Sequence, residues 1–341
     1  MTLNTQNRRL YLVDEAVNSG NGTLTTYRVS GTGQLSQIAQ LTTPPGGVHA
    51  TFFADGAALA VPHYSSSQLL TYSVAADGTL TPLQAFTFAL AAPGPVPNRQ
   101  DAPHPHEAIL DPTGAYLLVP DLGADLVRVY SVDVATKLLV SRPPLVAQAG
   151  SGPRHGVFSP DTIAGRYVFY LAAEISATVT AYAVHYEVEG LVFEELPGGA
   201  YPSLGVGHPV PPTTTGESTG VTAEIALSPD GKFVVASNRR DASFNASTFP
   251  LSYPTPSDSM ATWSLNPCQY DGSLEFLGLF PAGGSYPRQF SLSRAGDLVA
   301  VGLQQSSKVV VLERDTETGL FVRQVAEVDV AGQVTCVVWD D

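Results

Sequence analysis

Apolar residues in this chain come in short runs of β-branched and aromatic positions separated by polar turns, and no stretch carries an amphipathic helical period. The clearest run is HEAILDPTGAYLLV (106–119), which reads as strand, Asp-Pro-Thr-Gly turn, strand. The same phrase returns as TFFADGAALAVP (51–62), GVFSPDTIAGRYVFYL (156–171), EIALSPDGKFVVAS (224–237) and SLSRAGDLVAVG (291–302). After each copy comes a polar loop and a third apolar run: LLTYSV, VRVYSV, VTAYAV, MATWSL or KVVVLE. A further turn, such as Asp77-Gly78-Thr79, Asp271-Gly272-Ser273 or Thr318-Gly319-Leu320, then leads to a fourth strand. Four strands per unit, repeating every ~45–65 residues, predict the blades of a β-propeller.

The ends of the chain bear on how such a ring closes. RRLYLVDE, LTTYRV and LSQIAQLT (8–42) supply only the later strands of a unit, and QVTCVVWDD (333–341) reads like the opening strand that unit lacks. A blade assembled from N- and C-terminal strands would fasten the ring and leave no open sheet edge. Opening strands near His49, His106, Arg154, Thr222, Arg288 and Val334 give six blades in one all-β domain spanning 1–341. Segments 84–105, 190–220 and 241–262 are rich in Pro, Gly, Ser and Thr and are expected as surface insertions, the last a long loop.

Composition narrows the partners. Seventeen basic against 31 acidic residues give a net charge of −14, which disfavours the phosphate backbone of nucleic acid. No apolar run is long enough to span a bilayer as a helix, and MTLNTQNRR is not a signal peptide as it stands. A cytoplasmic location is therefore expected, with secretion left open for a longer N-terminus. Cys268 and Cys336 lie in different repeats with no metal or disulfide spacing, so reduced thiols are expected, and sequons at Asn21 and Asn245 matter only in a secreted chain. A monomer or weak homo-oligomer is expected.

Propeller topology makes a geometric prediction. The start of a blade's first strand and the end of its second share one mouth of the ring, and the residues at these places are unusual. First strands are preceded by Pro103-His104-Pro105-His106-Glu107, Gly152-Pro153-Arg154-His155 and Tyr286-Pro287-Arg288. Second strands are followed by His63-Tyr64, Asp121, Glu174, Asn238-Arg239-Arg240 and Gln304-Gln305. Five of the seven histidines, His49, His63, His104, His106 and His155, fall here. A Pro-Arg or Pro-His pair also serves simply to shape the entry to a strand. Glu174 ends the apolar run YVFYLAA, so it needs a buried partner such as an arginine from a neighbouring blade. His104 and His106 have a spacing that two metal ligands on a strand can use, but nearby arginines oppose a cation and no metal is expected. With no phosphate-cradling loop or nucleophile elbow, the chemistry expected is acid/base transfer beside arginine-held anion binding, without a cofactor.

HPHEAILDPTGAYLLVPDLGADLVRVY, GSGPRHGVFSPD, YVFYLAAE, SPDGKFVVASNR and YPRQFSLS, in that order, resemble the lactonase-type β-propellers, which include 6-phosphogluconolactonases and carboxy-cis,cis-muconate cyclases. The resemblance runs from about residue 9 to the C-terminus and implies catalytic roles for His106, Arg154, Glu174 and Arg239 on a small anionic metabolite. Under it the arginines hold a carboxylate or phosphate, His106 shuttles a proton, and Glu174 orients a neighbour or assists water. His49, His104, Asp121, His155, Arg288 and Gln304 are expected as substrate-binding residues. Lactone opening and lactone-forming cycloisomerisation both fit, as does a propeller that serves only as a ligand-binding or protein-interaction platform. The family has seven blades where six are counted here. The stretch not found corresponds to its N-terminal blade, and Ala-Glu-Ile stands where relatives often carry Asn-Glu-Leu.

Overall fold

A computed structural model describes residues 1–16, 20–159, 166–207, 221–244, 256–265 and 271–340. Among them stand six four-stranded antiparallel sheets and no helix, the blades of an all-β propeller. The chain falls into two compact units, Met1–Arg154 with Tyr186–Val192, and His155–His185 with Phe193–Trp339. Each unit takes three blades as its frame.

One turn chemistry builds the first hairpin of four blades. Asp111 accepts the Tyr116 N–H on Oδ1 at 2.6 Å and returns its own N–H to the Tyr116 carbonyl at 2.9 Å. Ser159 does the same with Val168, Ser228 with Phe233 and Ser293 with Leu298, through the hydroxyl oxygen. A short oxygen-bearing side chain here satisfies a turn amide that would otherwise be orphaned, as sequence preference in turns expects.

Burial grades along each blade. The second strands Ala58–His63 and Phe233–Asn238 are buried at every position, and the run in Tyr167–Ala173 is buried after its first residue. Ala58–His63 and Phe233–Asn238 each give residues to two different inter-sheet cores, so they read as continuous apolar runs instead of alternating ones. Fourth strands such as Phe321–Asp329 are exposed beyond their first residue. In the first unit, Tyr11, Leu24, Leu59 and Tyr72 join its first two blades, and Phe53, Leu69, Leu117 and Tyr130 join the second to the third. In the second unit, Tyr170, Val179, Val234 and Trp263 form one inter-sheet core, and Val235, Met260, Phe290 and Val301 the next. Trp263 is fully buried at the centre of its core, an arrangement typical of sheet-on-sheet packing.

Five of the six opening strands lie where the repeat puts them, at Thr51–Phe53, Ile109–Leu110, Pro153–Phe158, Thr222–Leu227 and Pro287–Leu292. The sixth does not. The first blade is completed by Thr2–Asn4, which pairs antiparallel with Arg9–Val13, so the edge meant for the C-terminal strand is already filled. Residues 330–340 carry no strand; Val337 N–H instead bonds Gln289 Oε1 and Trp339 Nε1 bonds the Ser291 carbonyl, both at 2.7 Å. The expected insertion at 190–220 opens with a fourth strand, Gly190–Pro202, which starts on the β-compatible LVF and runs through Gly198 and Gly199. The 241–262 segment likewise runs into the strand Ser259–Leu265 at its end. Asp161, Asn245, Cys268 and the middles of the last two segments lie outside the described residues. No helix of the described residues is long and apolar enough to cross a membrane.

Candidate functional site

In the second unit, Glu174 and Arg239 sit just past the ends of two second strands, Tyr167–Ala173 and Phe233–Asn238. One residue joins them through the backbone. Val221 donates its N–H to the Glu174 carbonyl at 3.1 Å and accepts the Arg239 N–H at 2.7 Å. The side chains meet as a buried ion pair, Arg239 Nη2 to Glu174 Oε2 at 2.6 Å. Glu174 is 3% and Arg239 5% exposed, so the two charges compensate one another away from bulk water. The expectation that Glu174 needs an arginine partner from the next blade is met. Asn238 anchors the strand end by donating to the Ser203 carbonyl and to Ser259 Oγ.

Tyr286 completes this cluster. The Arg239 guanidinium carbon lies 4.9 Å from its ring centroid and that of Arg240 5.2 Å, on an aromatic face that attracts cations. Arg239 Nη1 donates to the Tyr286 hydroxyl at 3.4 Å. Arg240 is exposed, unlike its neighbour. Arg288 sits at a bulge in Pro287–Leu292 and is half-buried. Gln304 Nε2 donates to Gln333 Oε1 of the C-terminal segment at 2.7 Å.

His155, in the same unit, places Nδ1 2.8 Å from Glu224 Oε1, both residues buried. Glu224 Oε1 also accepts the Ile225 N–H at 3.0 Å. Glu224 is missing from the residues singled out above, yet its place in the repeat marks it. Counting four residues back from the first-hairpin turn residue gives Glu107, His155, Glu224 and Gln289, and His49 by the matching position before Phe53. Polar groups at one repeat position in five repeats are a signal that packing alone does not produce. In the first unit, His49 Nε2 and Glu107 Oε1 are 3.8 Å apart.

Also in the first unit, His104 stacks on Tyr64 with centroids 4.1 Å apart, and His106 meets the same ring edge-on at 5.7 Å. His104 does not present a nitrogen to a ligand: Nδ1 is 3.0 Å from the Tyr64 carbonyl oxygen and Nε2 3.1 Å from Asp101 Oδ1. The hydrogen bond from His104 holds the Asp101 carboxyl below its ordinary range. With both nitrogens of His104 engaged, the two histidines do not form the metal-ligand pair their spacing allowed. Asp121 is fully buried, Oδ1 accepts the His104 and Ala124 N–H groups, and Oδ2 accepts Arg128 Nε at 2.9 Å, so it braces the loop. His106 is buried and donates its backbone N–H to the Pro120 carbonyl. Arg154 is 1% exposed and follows a loop held by Asp125, which accepts the Gly150 and Gly152 N–H groups.

A buried Arg–Glu pair capped by tyrosine, in a chain of four-stranded blades, can be set beside known proteins. The family model described as "Lactonase, 7-bladed beta-propeller" matches residues 1–339. The chain belongs to this lactonase family. The family is described as seven-bladed, whereas the described residues of this member build six blades. A protein of Arthroderma benhamiae named "Probable 6-phosphogluconolactonase" is 32% identical over 330 residues, 97% of this chain and 77% of its own length. The "6-phosphogluconolactonase" of Bacillus subtilis is 27% identical over 93% of this chain and 80% of its own. Among solved structures, the Pseudomonas aeruginosa periplasmic gluconolactonase PpgL superposes with a TM-score of 0.78 at 27% identity, covering 98% of this chain and 85% of that one.

Proposed function

We propose that this lactonase-family member is an enzyme that hydrolyses a small anionic sugar-acid lactone, with 6-phosphogluconolactone the first substrate to test. The observation that carries the reading is the buried Arg239–Glu174 pair beneath Tyr286. A guanidinium has five donors in a fixed fork; Arg239 Nη1 donates to the phenol, while Nε is buried without a hydrogen-bond partner and is the donor an anion would satisfy. Water adds to the lactone carbonyl carbon, the carbonyl oxygen takes the negative charge, and collapse breaks the ring C–O bond. The products are a carboxylate, a hydroxyl and one proton. Arg239 stabilises the developing oxyanion or holds the substrate's anionic group, and Glu174 keeps the guanidinium aimed. The polarising charge is the arginine's, so the reading calls on no metal.

Arg154 and His106 keep their expected parts, anion binding and proton transfer, as proposals with their own variants. His155, with Nδ1 held by Glu224, fixes its ring orientation as a general base or substrate contact would require. The test is hydrolysis of 6-phosphogluconolactone by the wild-type protein and by Arg239→Met, with a carboxymuconate as counter-substrate. Lactone hydrolysis lost by ~10²-fold or more in the variant supports the reading. Turnover of the muconate alone transfers it to ring closure, and no turnover of either removes it.

A further inference from the structure

Three non-glycine residues around the Arg239 cluster stand in left-handed backbone: Arg240 at φ 60°, Ala242 at φ 46° and Tyr286 at φ 67°. Each such residue costs about 1–2 kcal/mol unless its surroundings hold it there. One carboxylate holds all three. Asp258 Oδ2 accepts the Arg240 N–H at 3.0 Å and the Tyr286 N–H at 2.7 Å, and Oδ1 accepts the Ala242 N–H at 2.9 Å. The Asp258 backbone is fixed as well, through Asp258 N–H to the Gly284 carbonyl and Ala282 N–H to the Asp258 carbonyl. Asp258 is 4% exposed, and on its far side the strand Ser259–Leu265 begins.

The residues whose backbone it bends are those that frame Arg239. Arg240 and Tyr286 come from different loops, and both point their side chains at the same cation–aromatic stack. Asp258 thus takes amides of both loops onto one side chain. Phe244 and Ser257 exchange two backbone hydrogen bonds at the base of the 241–262 segment, so the segment's ends close beneath the clamp.

We propose that Asp258 is a positioning residue: by holding Arg240 and Tyr286 in left-handed backbone, it sets the Arg239–Tyr286–Arg240 cluster to receive a phosphate or carboxylate. The inference rests on the anion-binding part of the lactonase reading, and it can be tested without turnover. Asp258→Asn keeps one oxygen for the Ala242 amide and turns an –NH2 group toward the Arg240 and Tyr286 amides, which rotates both loops away. Glycine adopts φ near +50° freely, so Ala242→Gly relieves strain at a position with no functional side chain.

The experiment is calorimetric titration of inorganic phosphate into the wild type, Asp258→Asn, Ala242→Gly and the double variant, each with a melting curve. The expected result is phosphate binding by the wild type and Ala242→Gly, and a ~10-fold or greater loss of affinity in Asp258→Asn. The double variant is expected to regain melting temperature without regaining affinity. A merely structural aspartate would lower the melting temperature and leave phosphate affinity unchanged, and that result overturns the proposal. So does a wild-type protein that binds no phosphate, or a double variant whose affinity returns with its stability. Loss of lactone hydrolysis in the wild type, with phosphate binding intact and sensitive to Asp258, would instead strike only the functional reading.

Discussion

Replacing Glu174 by leucine leaves the Arg239 guanidinium 5% exposed with its counter-charge gone. The Tyr286 hydroxyl and ring do not replace a carboxylate 2.6 Å away. Breaking a buried pair from one side costs about 3–5 kcal/mol, because the remaining charge loses both water and partner. For the 341-residue chain unfolding as a whole, the unfolding entropy is about 0.7 kcal/mol/K, so the melting temperature should fall by about 4–7 °C. Glu174→Leu combined with Arg239→Met removes both charges. It should recover to within about 2 °C of the wild type, since a packed apolar pair is often as stable as the ion pair it replaces. Differential scanning calorimetry at pH 7 on the four proteins of this cycle measures the coupling directly. A single variant that melts within about 1 °C of the wild type would refute the view that Arg239 depends on Glu174 for its charge compensation.

Three further outcomes follow from particular contacts. Burial and the neighbouring Asp258 charge push the Asp241 carboxyl up to about 6. A raised carboxyl pKa favours the folded state at low pH, and that contribution is lost as pH rises through about 6. Asp241→Asn should therefore gain ~1.4 kcal/mol relative to wild type between pH 5 and pH 8, read by denaturant titration at both values; a flat difference would contradict it. Gly319 has φ +78° and a built Cβ would meet the Phe233 ring, so Gly319→Ala should destabilise by about 2–4 kcal/mol in a melting assay. Dialysis against a strong chelator should leave the lactone hydrolysis rate unchanged, and a loss restored by one divalent metal would replace the arginine with an ion as the polarising charge.

The blades were readable because each hairpin repeats a turn residue with its own hydrogen-bond chemistry, as at Asp111, Ser228 and Ser293. The mistaken sixth strand has a plain cause. QVTCVVWDD carries the β-branched residues of a strand, whereas Thr2–Asn4 is three residues long and too short for any periodicity to show. Glu174 and Arg239 were legible from topology, since a charged residue directly after an apolar second strand has few places to go. Sequence does not reveal that polar atoms of His104 and Asp121 are engaged by Tyr64, Asp101 and Arg128, because the repeat pattern does not pair those residues. Asp258 was invisible for a related reason: its partners are backbone amides of Arg240, Ala242 and Tyr286, which no side-chain pattern announces. Glu224 could have been found by aligning the repeats, which puts it on the same position as Glu107 and His155.

The most direct test of the functional reading is the rate of 6-phosphogluconolactone hydrolysis at pH 7, followed by proton release, for the wild type beside Arg239→Met. The wild type should hydrolyse the lactone well above its spontaneous rate, and the variant should fall by ~10²-fold or more while remaining folded. A wild-type rate equal to the spontaneous one, or a folded variant as fast as the wild type, would contradict it.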